Sequence, residues 1–153
     1  MSADARITEL GLELPPAPKP AGVYKPIVIS GNMAYVSGHG PLKPDGSMLT
    51  GRVGKDVDKQ GGYDAARQVG LAILATLKAN LGSLDRVKRL VKSLGMVNAV
   101  ADFKEHPAVI NGYSDLMKEI FGDNGVGARS AVGMGSLPGD ITVEIEAIFE
   151  VET

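Results

Sequence analysis

Strict alternation near the C-terminus is the sequence feature that most constrains the fold. One set of alternate positions is wholly apolar: Val143, Ile145, Ala147, Phe149 and Val151. The intervening set is mostly polar or charged: Thr142, Glu144, Glu146, Ile148 and Glu150. Successive side chains of a strand point to opposite faces, so this segment is predicted to be a strand with one buried face. The mixed face is expected to meet water or to form a polar cleft with a partner chain.

A second run rich in small and β-branched residues, 128–132, precedes this strand, and Leu137, Pro138, Gly139 and Asp140 lie between the two. A Pro-Gly-Asp turn signal between such runs predicts a hairpin. Its arms would lie about 5 Å apart, with Arg129 within about two residues of the position opposite Glu144. An arginine can hold a carboxylate through two parallel hydrogen bonds, and a nearby glutamate can transfer a proton.

The rest of the chain predicts an α+β protein with the order β-β-α-β-α-β-β, in which two helices pack on one face of a mixed sheet. Turn, capping and periodicity signals place a hairpin around Gly31 and Asn32, a helix over 62–81, an irregular strand over 87–98, and a second helix from His106 to Gly122. Gly95 is expected to mark a bulge in the irregular strand.

The length of 153 residues suits a single domain. We assign that domain to residues 23–153, after a proline-rich N-terminal arm at 1–22. Residues 40–62 form a loop rich in Gly, Pro, Asp and Lys. A loop of this length is expected to lie near a site or an interface.

Composition removes several classes of function. The chain has no cysteine and only two histidines, so it has no disulfide, no thiolate nucleophile and no expected metal or cofactor site. Its net charge of −2 argues against a nucleic-acid partner, because phosphate binding normally needs a basic face. No apolar run is long enough to span a membrane. The first residues lack a signal-peptide pattern, so we expect a cytoplasmic location.

The chain resembles the reactive-intermediate deaminase (Rid) superfamily, also called YjgF-type or L-PSP endoribonuclease-like. The likeness covers about residues 20–151 and is carried by Gly22-Val23-Tyr24, Gly31-Asn32, Val36-Ser37-Gly38, Ile110-Asn111-Gly112, Ala128-Arg129-Ser130-Ala131-Val132, Leu137-Pro138 and Val143-Glu144-Ile145-Glu146-Ala147-Ile148. Each motif is weak alone, but the combination is specific.

The resemblance implies a chorismate-mutase-like fold and a homotrimer with ligand pockets between subunits. It also implies metal-free hydrolysis of 2-imino acids and their enamine tautomers to 2-keto acids and ammonia. By the same resemblance, Arg129 would grip the substrate carboxylate and Glu144 would position or activate water. Tyr24, Gly38 and Asn111 would line the pocket.

Three positions near the expected pocket depart from the family's common pattern: His39, Gly40 and Ala131. With the long arm and loop, they resemble a divergent subgroup. Two alternatives therefore stay open beside the deaminase. One is a trimeric protein that binds a small carboxylate without turnover, and the other is an endoribonuclease-like translation inhibitor.

Overall fold

A computed structural model describes residues 2–153. Three helices and five strands follow one another as α1 (Ala3–Glu9), β1 (Ile27–Ser30), β2 (Met33–His39), α2 (Lys59–Leu81), β3 (Val87–Asn98), α3 (His106–Phe121), β4 (Ala128–Met134) and β5 (Val143–Val151). From β1 onward this is the predicted order β-β-α-β-α-β-β. The short helix α1 precedes it.

The five strands form one mixed sheet in the order β1-β2-β5-β3-β4. Only β3 and β4 run parallel, and the other neighbours are antiparallel. The alternate apolar residues of β5 are all buried and join the core formed with α2 and α3, which confirms the predicted alternation; they are Val143, Ile145, Ala147, Phe149 and Val151. The opposite face of the sheet is not covered by these helices, and we call it the open face.

Local signals define the helix ends as expected. The Asp58 side chain caps α2 by accepting a hydrogen bond from the Gly61 amide at 2.7 Å. The helix therefore starts at Lys59, three residues before the predicted start. Gly82 ends α2 with a φ of +85°, a conformation that glycine adopts without steric cost. Gly122 ends α3 in the same way, as the sequence predicted.

Helix α1 was not predicted within the proline-rich arm. Ser2 caps it by accepting a hydrogen bond from the Ala5 amide at 3.1 Å, and Ala3 and Ile7 are buried in the core. Arg6 Nε donates to the Glu119 carbonyl at 2.9 Å, which ties the helix to α3. A seven-residue helix shows too little periodicity in a sequence, and packing stabilises it more than its own propensity.

The predicted C-terminal hairpin is wrong, because β3 lies between β4 and β5. Ser93 of β3 stands opposite Arg129 on one side and Ala147 on the other, whereas Met96 stands opposite Glu144. Arg129 therefore lies on the helix-covered face and Glu144 on the open face. The physical reason is that residues 135–142 cross the end of β3, where the Asn98 amide donates to the carbonyl of Thr142 at 2.9 Å.

The expected bulge at Gly95 is also wrong. The register of β3 against β5 shifts between residues 87 and 92, whereas Gly95 pairs regularly with Ala131 and Ile145. A Cβ at Gly95 would lie 2.6 Å from Ile110 Cδ1. The glycine is needed because α3 packs directly against the strand at this point.

Candidate functional site

The five residues predicted for the site divide into two groups. Tyr24, Gly38 and Glu144 line a cleft of 610 Å³, which we call the Glu144 cleft. Asn111 and Arg129 line a separate pocket of 220 Å³ beside β4, which we call the Arg129 pocket. Within one chain the predicted catalytic pair is therefore not brought together.

The Glu144 carboxylate lies directly over Gly38. A Cβ at position 38 would overlap Glu144 Oε2 and approach Cδ and Cγ at 3.1 and 3.3 Å. The missing side chain of Gly38 is what gives the carboxylate this position between β2 and β5.

The surroundings of Glu144 favour its protonated form. Partial burial raises the pKa of the Glu144 carboxyl, and the nearby negative charge of Glu146 raises it further. A carboxyl group with a raised pKa holds its proton closer to neutral pH. It can therefore both accept and donate a proton during a reaction.

Tyr24 joins the proline-rich arm to the Glu144 cleft. Its hydroxyl accepts a hydrogen bond from the Ala21 amide at 3.1 Å, and the residue is half-exposed. Lys19 and Pro20 line the same cleft. The arm therefore forms one wall of the cleft and supplies a cation to it.

Neutral acceptors hold the Arg129 guanidinium. Nη1 donates to Asn111 Oδ1 at 2.8 Å and to Ser114 Oγ at 3.0 Å, and Nη2 donates to the Pro107 carbonyl at 3.4 Å. Within residues 2–153 no carboxylate forms an ion pair with Arg129. Its orientation is fixed while its charge stays available to an anion.

Sequence reasoning missed two groups of lining residues. Ser114 lies three residues after Asn111, on the same side of α3, and this helical spacing was a usable signal. Met48 and Ile141 line the Glu144 cleft from two different loops. Nothing in their sequence context predicted that position.

The departures at positions 39 and 131 have structural roles. The His39 ring is buried, where Nδ1 donates to the Ser37 carbonyl at 2.6 Å and Nε2 accepts from Thr76 Oγ1 at 2.7 Å. Burial lowers the pKa of His39 more than the bond to Ser37 raises it. The ring is therefore neutral and helps to join β2 to α2. Ala131 packs against the core.

In the part of the chain that the structure describes, no group of three or more His, Asp or Glu side chains is arranged to hold a metal ion. None of the described helices combines the length and apolar character needed to cross a membrane.

Comparison with known proteins decides the family. The profile of the family described as "YjgF/chorismate mutase-like, putative endoribonuclease" matches residues 4–142. The chain belongs to this family. Protein TCP17 of Trypanosoma cruzi is 40% identical over 148 residues, which are 96% of this chain and 92% of that protein.

Two further proteins to which this chain is similar bear on function and on fold. A 2-iminobutanoate/2-iminopropanoate deaminase of Dermatophagoides farinae is 32% identical over 143 residues, covering 92% of this chain and 95% of that protein. A crystal structure of a protein of unknown function from Agrobacterium tumefaciens has a TM-score of 0.90 and 43% identity, covering 99% and 94% of the two chains. The family match and this structural similarity together confirm the chorismate-mutase-like fold that the resemblance implied.

Proposed function

We propose that this protein hydrolyses 2-imino acids and their enamine tautomers to 2-keto acids and ammonia. The observation that carries the proposal is the Arg129 pocket, where three neutral acceptors orient a guanidinium that no carboxylate of the described chain neutralises. Such a group binds a substrate carboxylate through charge-assisted hydrogen bonds. The deaminase among the relatives supports the same reaction.

Glu144 is the proposed proton-transfer group. Water attacks the carbon of the imine in its nitrogen-protonated form, and Glu144 accepts the proton that the water loses, which gives a neutral tetrahedral carbinolamine. Glu144 then returns this proton to the carbinolamine nitrogen, and the C–N bond breaks to release ammonia. As the C=O bond of the keto acid forms, the hydroxyl proton passes back to the Glu144 carboxylate, which then gives it up to the departing ammonia or to solvent. The raised pKa of Glu144 suits a group that must serve as base and then as acid.

A complete site requires two subunits in this proposal, because Arg129 and Glu144 lie on opposite faces of one sheet. The open face and its edges carry exposed apolar side chains, including Val28, Tyr35 and Val132. Exposed apolar groups of this kind favour burial against another protein surface. We therefore infer a homotrimer in which the Arg129 pocket of one subunit faces the Glu144 cleft of the next.

The first test measures imine hydrolysis directly. An amino-acid oxidase generates the imino acid, and the wild-type protein should accelerate formation of keto acid and ammonia above the rate in buffer. Arg129→Ala should lose most of this activity. It should remain folded, since two of the three lost hydrogen bonds are exposed to solvent and the three together cost only about 2–4 kcal/mol. Ligand-dependent thermal stabilisation without any product would instead indicate a carboxylate-binding protein.

The second test asks whether the site is shared. Arg129→Ala and Glu144→Gln subunits should each lose most activity alone, but a mixed trimer unites an intact Arg129 with an intact Glu144 at some interfaces. Random mixing at equal amounts should restore about one quarter of wild-type activity, because each site needs one specified variant on each side. No recovery in trimers shown to be mixed would contradict the shared site.

An endoribonuclease is not proposed, although the family description includes the term. The net charge of −2 provides little of the phosphate neutralisation that RNA binding requires.

A further inference from the structure

The loop between β2 and α2 contains a short, ordered hairpin, which we call the 42–48 hairpin. Leu42 and Met48 pair as an antiparallel bridge, and the Lys43 amide donates to the Ser47 carbonyl at 2.8 Å. At its tip, Asp45 Oδ1 accepts hydrogen bonds from the Ser47 amide at 2.9 Å and from its hydroxyl at 2.6 Å. These bonds define a single conformation for the hairpin.

The 42–48 hairpin is anchored on both sides. Gln68 Nε2 of α2 donates to the Leu42 carbonyl at 2.6 Å. Just beyond the hairpin, the Leu49 carbonyl accepts from the Thr142 amide at 3.3 Å, beside β5. The hairpin is therefore fixed to both the helical layer and the sheet.

This anchoring holds Met48 in the wall of the Glu144 cleft. A Cβ at Gly40 would lie 3.1 Å from both Met48 Sδ and Ile141 Cδ1, so both side chains lie over the glycine. Pro138 lines the same cleft. Met48 is 40% exposed. The cleft thus has an apolar wall with accessible surface beside the Glu144 carboxyl.

We infer that Met48 determines specificity for the substrate side chain and that the preferred substrates are imino acids with long apolar side chains. This inference rests on the proposed function. The carboxylate and imine of such a substrate would engage Arg129 and Glu144, which leaves its side chain for the apolar wall. A flexible thioether adapts to linear, branched and aromatic groups alike.

The test compares imino acids made by an oxidase from leucine, methionine and phenylalanine with the imino acid made from alanine. Met48→Ala should lower kcat/KM for the three larger substrates by about tenfold, because apolar contacts of a few methylenes discriminate on that scale. For the alanine-derived imine the change should stay below about twofold, since its methyl group does not reach the wall. Met48→Leu should restore most of the loss. Leu10→Ala is the matched control, because Leu10 is 37% exposed and lies outside the cleft.

If kcat/KM of Met48→Ala changes equally for all four substrates, or not at all for the three larger ones, the inference is overturned while the proposed deaminase activity stands. If the wild-type protein accelerates no imine at all, the proposed function fails instead. Thermal stabilisation by pyruvate and by 4-methyl-2-oxopentanoate then decides the inference. The inference is supported if Met48→Ala loses the stabilisation by 4-methyl-2-oxopentanoate but keeps that by pyruvate. It is overturned if each acid stabilises Met48→Ala as much as it stabilises the wild type.

Discussion

Replacing Gly38 by alanine tests the placement of Glu144 without removing its carboxylate. The new Cβ would overlap Glu144 Oε2 and come within 3.1 Å of Cδ. The obstructed group is the far end of a flexible, half-buried side chain, so the glutamate turns away while the backbone stays in place. A displaced rotamer of this kind costs about 1 kcal/mol. For a chain of this length we expect the melting temperature to fall by about 2–4 °C.

The effect on catalysis should be much larger than the effect on stability. A displacement of about 1 Å at a reacting group can lower the rate by about 100-fold. Burial is the main cause of the raised pKa of Glu144, so a carboxyl group turned towards solvent should ionise at lower pH. The acidic limb of the pH profile of kcat/KM should therefore move to lower pH in Gly38→Ala.

Steady-state imine hydrolysis from pH 5 to 9, together with thermal unfolding, measures both effects. Gly135→Ala is the control, because a Cβ there meets no atom within 4 Å. Its stability should change by less than about 0.5 kcal/mol, and its activity should be that of the wild type. The reasoning is refuted if Gly38→Ala is folded, fully active and unchanged in its pH profile.

Three further predictions concern stability. The raised pKa of Glu144 means that the folded state binds this proton more tightly than the unfolded chain, so the group destabilises the fold increasingly as pH rises above its ordinary value of 4.5. Glu144→Gln should therefore melt higher than wild type at pH 7 and equally at about pH 3, where the Glu144 carboxyl is protonated in both the folded and the unfolded state. A gain in melting temperature that is the same at both pH values would contradict this. Tyr113→Phe removes the 2.9 Å hydrogen bond to buried Ser93. The free energy of unfolding measured with urea should fall by about 1–3 kcal/mol. A decrease below about 0.5 kcal/mol would show that the Ser93 hydroxyl finds another partner. In Gly112→Ala the new Cβ would overlap the Tyr63 carbonyl oxygen of α2, a backbone atom that cannot rotate away. We therefore expect the free energy of unfolding, measured with urea, to fall by about 3 kcal/mol or more. Wild-type stability would mean that α2 and α3 can move apart without cost.

Local features of this fold could be predicted from sequence because local physics controls them. The Gly31-Asn32 turn joins strands that pair directly, with Ser30 opposite Met33. Alternation in β5 and glycines at the helix ends carry their own signals. The place of β5 in the sheet is different, because it depends on contacts with β3, which is far from β5 in sequence. A Pro-Gly turn is equally compatible with a hairpin and with a segment that crosses a third strand, so the pattern could not distinguish the two.

The site was predictable in its residue types but not in its geometry. Arg129 and Asn111 do contact one another, and Tyr24, Gly38 and Glu144 do share a cleft. The distance between the two groups follows from strand order, which the motifs do not encode. The apolar wall that contains Met48 forms because a long loop packs against the rest of the chain. The loop has no periodic pattern of apolar residues, so only the three-dimensional structure shows this wall.

The separation of Arg129 from Glu144 and the exposed surfaces of the sheet point to the same arrangement. β4 is an edge strand, and such an edge offers free backbone donors and acceptors that folded proteins usually cover. Val132 on β4 and Tyr35 on the open face are both substantially exposed. In the proposed trimer the β4 edge of each subunit lies against the open face of the next subunit, and this single contact covers both surfaces. The same contact places the Arg129 pocket beside Glu144 of the neighbouring subunit. The site is therefore complete only in the assembled trimer.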